Sequence, residues 1–349
     1  MEKRTRQPLA KRPTVLRMIP VFKNVSMFRR MAAARERKIS LPLHPDNGDE
    51  AAYANRIGNY SKGLPHNATG EVDPAAYESF LNALSTGQDA DFENIVIGGN
   101  VGLVNPQAGL AFDLEGTDCH QMALEPPPTL ASAERAGEAV ECYWMSLLRD
   151  VNFSQYSTHP TALAACAELT RLSDFRGPKF NGEVVPQTLF RGFTSDDVLG
   201  PYVSQFLLKT MDFGAVTMVQ KFNTYLPGTD YLTNVAAWLA VQNGNPPSDR
   251  NFVDPTPRYA RNGRDLSAFV HVDVLYQAYF HACLWLLDNG ALLNPGNPYG
   301  SSYLVSRSRT QAGFGTFGGP HIVTLLAEVC TRALKVVWFQ VVCASHIAP

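Results

Sequence analysis

From Thr310 to its end the chain reads TQAGFGTFGGPHIVTLLAEVCTRALKVVWFQVVCASHIAP, and this stretch constrains the fold most. Four glycines (Gly313, Gly315, Gly318, Gly319) lead through Pro320 into an apolar segment with no internal breaker. Glycine admits backbone angles closed to other residues, and proline at the first helical position pre-sets the helix. A tight turn feeding a long, mostly apolar helix needs other helices to bury it. The segment therefore predicts a helical protein and an approach to a site.

The same period recurs upstream. Asp73 and Pro74 start a helix over PAAYESFLNALSTG that Gly87 ends. Ala136, Val140, Tyr143, Trp144, Leu147 and Leu148 repeat at three- and four-residue steps. Pro160 to Asp174 follows as the second arm of an antiparallel hairpin. Thr194 opens a helix toward Met211 that Gly200-Pro201 kinks or restarts, and Thr229 or Asp230 caps YLTNVAAWLAVQN. Ala260 to Asn289, apolar almost all round, reads as the longest helix and the centre of the core. Met27 to Lys38 reads as a surface helix, and Ile95 to Ile97 as a place where strand pairing could occur.

The organisation that follows is a basic extension over 1–40, an irregular, loop-rich segment with one short helix over 41–130, a helical bundle over 131–340, and a divergent tail over 341–349. The class is mainly α. Loops that long in a helical protein usually shape a pocket or wrap a neighbouring subunit.

Charge narrows the partners. Residues 1–40 hold 12 of the 30 Lys/Arg and only Glu2 and Glu36 of the 32 acids, so the body is acidic. Nucleic-acid binders carry basic residues over a folded surface, and here they sit in a Pro-interrupted leader, so no nucleic-acid partner is expected. Arg17 and Pro20 break the leader's apolar run, which rules against a secretory signal and leaves organelle targeting open. The most apolar run, Leu266 to Leu287, carries His271, Asp273, Gln277 and His281, so no membrane span is expected. The six cysteines form no C-x-x-C pair and read as buried thiols of a reducing, cytoplasmic protein.

Candidate chemistry is sparse. Gly313 to Gly318 fits G-x-G-x-x-G, but the residues before it are too polar for a buried strand and no acid follows at the ribose-binding distance. A glycine turn permitting close packing explains it. His271 and Asp273 are two apart on one helix and point away from each other, and no H-E-x-x-H occurs, so no metal site is assigned. Arg332 and Lys335 suit a helix C-terminus without any substrate, and Trp338 defaults to packing.

Longer stretches carry a resemblance. Gly58 to Tyr77 (GNYSKGLPHNATGEVDPAAY), Asn105 to Gly116 (NPQAGLAFDLEG), Tyr143 to Tyr156 (YWMSLLRDVNFSQY), Leu172 to Lys179 (LSDFRGPK) and Phe190 to Leu208 (FRGFTSDDVLGPYVSQFLL) resemble bacterial-type vanadium-dependent haloperoxidases, in the superfamily that includes acid phosphatases. So do Arg258 to Tyr279 (RYARNGRDLSAFVHVDVLYQAY) and Arg309 to His321 (RTQAGFGTFGGPH). The similarity runs from about Leu41 to Gln340 and covers the amino-terminal part of such a protein.

The resemblance implies an all-α fold of paired four-helix bundles, the first largely present and the second truncated. It implies vanadate as the cofactor, with halide, hydrogen peroxide and an organic substrate as reaction partners. Leu325, Leu326, Val329, Leu334 and Val337 on the last helix would be left uncovered by a missing second bundle, which predicts a homo-oligomer. Its ligand motifs are a Lys followed by Arg-Pro, then Pro-Ser-Gly-His, then Ser-Arg leading to His, and none is found here. The family reads W-[YF]-Q-K-W where this chain reads Trp338-Phe339-Gln340-Val341-Val342. Trp338 alone carries over, as the aromatic on the halide side of the pocket. The closing CASHIAP resembles a frameshifted, spliced or truncated end. The expectation is a haloperoxidase-like protein that is inactive or incomplete as this chain. The alternatives are a non-catalytic scaffold, half of a split enzyme, or a phosphatase-type relative.

Overall fold

The computed structural model describes residues 21–36, 38–113, 116–247, 253–297, 299, 301–302, 305–306, 310 and 312–343. Most of the basic leader and the last six residues lie outside them. The described chain is mainly α. Its strands form two short antiparallel pairs, β1 (Met211–Phe213) with β2 (Val216–Met218) and β3 (Ser301–Ser302) with β4 (Val305–Ser306).

Helix α1 covers Val21–Glu36, longer at its start than the expected Met27 to Lys38. The irregular segment holds more helix than the one expected: α2 (Asp49–Ala52), α3 (Pro74–Thr86), α4 (Asp89–Glu93) and two 3-10 turns. In α3 the Asp73 carboxylate accepts from the Ala76 N–H and Gly87 closes the C-terminus at φ 63°. Tyr77, Phe80 and Leu84 on its inner face form a core with Leu64, Ile95 and Cys119. No strand forms at Ile95 to Ile97. Ile95 is buried and the Val96 N–H donates to Ser79 Oγ, so the segment is held by a side chain.

The second core belongs to a hairpin of α5 (Ala133–Leu148) and α6 (Pro160–Arg171), with Leu148, Ala162, Ala165 and Leu169 fully buried. Trp144 Nε1 ties the two helices by donating to Glu168 Oε2 at 3.0 Å. Tyr156 and Tyr202 close its edge, and Arg191 stacks 3.8 Å above the Tyr202 ring.

Three expectations are corrected in the middle of the chain. Helix α7 spans only Ser195–Leu199, because Gly200 turns extended and Pro201 supplies no N–H; a 3-10 turn and β1 follow instead of a restarted helix. Helix α8 (Val235–Gln242) is capped by Asn234, four or five residues later than expected. The long helix expected over Ala260 to Asn289 is two, α9 (Gly263–Val272) and α10 (Gln277–Asp288). Alternating β-branched Val270, Val272 and Val274 are poor helix formers, Asp273 turns extended, and Leu275 takes φ 39°. Nor is the run central: Val270 and Val272 are exposed, and α10 buries no residue fully.

The longest helix is α11, Gly319–Trp338, which continues through one π-type turn, Phe339–Cys343. Val336, Phe339, Val342 and Cys343 are buried in the core of α3. Residues 336–343 thus close the first core. Among the described residues no helix is long and apolar enough to cross a membrane.

Candidate functional site

The glycine turn before α11 closes on itself. A Cβ on Gly318 would come within 2.5 Å of Gly313 C and O, and the Phe317 N–H donates to His321 Nδ1 at 2.9 Å. The Phe314 N–H likewise bonds within the turn, to Thr316 O at 3.2 Å, and 20 helical residues place the turn about 30 Å from the far end of α11. The chemistry concentrates at that far end.

There the last turns of α11 meet four loops. Lys335 Nζ lies 2.5 Å from Asp113 Oδ1, and Arg332 Nη2 2.5 Å from Glu328 Oε1. Arg332 Nη1 donates to Thr117 O at 3.3 Å. Lys335 lies in the last turn of α11, where the helix dipole favours a cation, and Arg332 one turn earlier, so each has an ion pair in addition to its place near the helix end. Trp338 Nε1 donates to Val104 O at 3.2 Å, and its ring packs on the first core beside Leu103.

Gln340 Nε2 donates to His44 Nδ1 at 2.9 Å, which makes that nitrogen the acceptor. His44 Nε2 therefore carries the proton and donates to His120 O at 2.9 Å. The Phe339 ring sits between the two imidazoles, 4.9 Å from His44 and 6.2 Å from His120. Gly109 lets Phe339 pass close, because a Cβ there would meet Phe339 Cα at 2.8 Å and Cys343 Sγ at 3.0 Å. Cys119 Sγ donates to Gly109 O at 3.1 Å. Burial pushes the Cys343 thiol up to about 12, with Cys119 beside it adding to the shift. His44, Asp113 and His120 escaped the sequence reading, because their partners stand 76 to 296 residues away and leave no local pattern.

Beside this cluster is a cavity of about 670 Å³, lined by Asp46, Asp49, Glu50, Arg56, Gln340 and Val341 among others. Arg56 Nη1 bonds Glu50 Oε1 at 2.6 Å, and its guanidinium lies 5.3 Å from the Tyr77 ring centre. The lining is acidic on balance. Trp338 does not line it.

No protein-family model matches the sequence. The chain is 31% identical to the vanadium-dependent bromoperoxidase of Corallina pilulifera, over 85% of this chain and 59% of the relative. It is 30% identical to the enzyme of the same name from Ascophyllum nodosum, over 86% and 59%. Its fold matches the second vanadate-dependent bromoperoxidase of Ascophyllum nodosum, described as homohexameric, at a TM-score of 0.79 and 32% identity, covering 97% of this chain and 58% of that one. The chain belongs with the vanadium-dependent haloperoxidases. It spans about three-fifths of the length of the relatives it matches.

An oxyanion such as vanadate needs several cations and N–H donors in surplus over local carboxylates. In this haloperoxidase-type chain the donor set at the end of α11 fails that test. Arg56, Arg332 and Lys335 each carry a carboxylate partner at 2.5–2.6 Å, and Asp46 and Asp49 add further negative charge. Among the described residues no group of three or more His, Cys, Asp or Glu is placed to hold a metal ion.

Proposed function

We propose that this chain carries the haloperoxidase framework without a vanadate cage of its own, and does not oxidise halide as this chain alone. The observation that carries the reading is that Arg332 and Lys335 on α11 and Arg56 in the adjoining cavity are each paired with a carboxylate, on a chain that matches vanadium-dependent bromoperoxidases along 85% of its sequence. Val341 stands where the family places its first ligand Lys. In the same reading bromide, peroxide and an organic acceptor belong to the reaction of the relatives, Trp338 is the aromatic of the halide side, and the compartment is the reducing cytoplasm. The test incubates the purified 349-residue protein with vanadate, peroxide and bromide and follows a phenol dye. No bromination is expected, and appreciable turnover overturns the reading.

A second reading, a non-catalytic scaffold or one half of a split enzyme, is favoured by uncovered apolar residues. Val270, Val272, Val274 and Leu275 are exposed around the α9–α10 break, and Leu325, Val329 and Val337 on α11. Single exposed apolar residues are ordinary, whereas two runs of this kind point to self-association. The solved relative is a homohexamer, which agrees with oligomerisation here. Light scattering that finds a monodisperse monomer removes this second reading.

A further inference from the structure

A second cavity, of about 300 Å³, lies between the β1–β2 hairpin and helices α9 and α10. Leu207, Met218, Phe222 and Phe269 give it an apolar wall, with the two phenyl rings 5.6 Å apart and tilted by 59°. It shares no lining residue with the cavity beside Gln340, and its Val272 is one of the exposed residues at the α9–α10 break.

One side chain in this wall is fixed to an unusual degree. Gln220 Nε2 donates to Phe206 O at 2.5 Å and to Lys209 O at 2.6 Å, so both amide hydrogens are spent. The amide oxygen must then be the atom 2.7 Å from His281 Nδ1. A carbonyl oxygen only accepts, so Nδ1 carries the ring proton and Nε2 is left as a bare acceptor. Among the described residues nothing donates to Nε2. Burial holds the His281 imidazole below its ordinary pKa, which keeps that lone pair available at neutral pH.

The charged groups on the same wall are Lys221 and Asp273, one of each sign, which favours neither an anion nor a cation. The volume suits a molecule of one or two rings. We propose that this cavity binds a small, uncharged aromatic molecule through a single N–H or O–H donor, accepted by His281 Nε2 and seated against Phe222 and Phe269.

The test titrates the full-length protein with indole and with 1-methylindole, which has the same ring system and no N–H. Indole is expected to bind about tenfold more tightly, the worth of one hydrogen bond in a desolvated pocket. In His281→Leu the preference should shrink to about twofold or less. Equal affinity in the unmodified protein, no binding of either ligand, or a preference that survives in His281→Leu overturns the proposal. Should that variant fail to fold, ¹⁵N shifts of His281 in the unmodified protein decide. The expected tautomer is Nδ1–H with an Nε2 resonance that moves on adding indole, and an Nε2–H tautomer overturns the assignment.

Discussion

Lys335 and Asp113 stand 222 positions apart in the sequence and meet at 2.5 Å between Nζ and Oδ1. The Lys side chain is 24% exposed and the Asp side chain 16%, so both charges have lost most of their water. Among the described residues Asp113 Oδ2 has no hydrogen-bond partner, which leaves the carboxylate resting on this lysine. Removing one partner strands the other charge, whereas removing both does not. Lys335→Met should therefore cost about 2–3 kcal/mol in urea unfolding. The double variant Lys335→Met, Asp113→Asn should recover at least half of that. Additive losses would show that the two side chains do not interact.

A second ion pair sets the acid limit of the fold. Arg264 is buried, bonds Asp150 Oδ2 through Nη2 at 2.7 Å, and donates through Nη1 to Thr229 O at 3.0 Å. The Arg264 guanidinium, aided by the Gly228 N–H, holds the Asp150 carboxyl below its ordinary value. A carboxyl depressed in the folded state contributes stability above its unfolded pKa of about 3.9, and that stability is lost as pH falls through the lower folded value. The melting temperature of the protein should therefore drop between about pH 4 and pH 2. Asp150→Asn should lower it at pH 7 and flatten that acid slope. An unchanged slope in Asp150→Asn would falsify the assignment.

The parts of this architecture that could be read in the sequence are those decided within one or two turns. Asp73, Pro74 and Gly87 bracket α3 because caps act on their own helix, and the α5–α6 hairpin follows from period and loop length. The run from Ala260 to Asn289 misled because hydrophobicity all round a helix signals burial only if partners exist on all sides. Here Val270 and Val272 face outward and the helix breaks at Asp273. The site was the least legible part. Gln340 finds His44 across 296 residues, and Lys335 finds Asp113 across 222, pairings that no local period encodes.

The glycine turn before α11 offers a comparison within one loop. A Cβ at Gly318 would sit 2.5 Å from backbone atoms of Gly313 and Phe314, which cannot swing aside as a side chain could. Gly315 has open space within 4 Å. Gly318→Ala should destabilise by about 2 kcal/mol or more, with Gly315→Ala within about 0.5 kcal/mol of the parent. Thermal unfolding of the two variants side by side checks this. Equal effects would mean that the turn is not closed by the Gly313–Gly318 approach.

Thiol reactivity tests whether the end of the chain is built into the first core. All six cysteines are free thiols; Cys142 is exposed, while Cys119, Cys166 and Cys343 are buried. Burial raises the pKa of Cys119 and Cys166 and pushes Cys343 up to about 12, so at pH 8 these three are almost wholly protonated as well as shielded. Only the thiolate attacks an aromatic disulfide reagent. Cys142 should react within the mixing time at pH 8. Cys343 should label on the timescale of unfolding, together with Cys119, because both pack on Gly109 in one cooperative unit. Peptide mapping after timed alkylation separates the sites. Fast labelling of Cys343 with Cys119 still protected would place Phe339 to Cys343 outside the core, and with it the cluster of His44, His120 and Gln340.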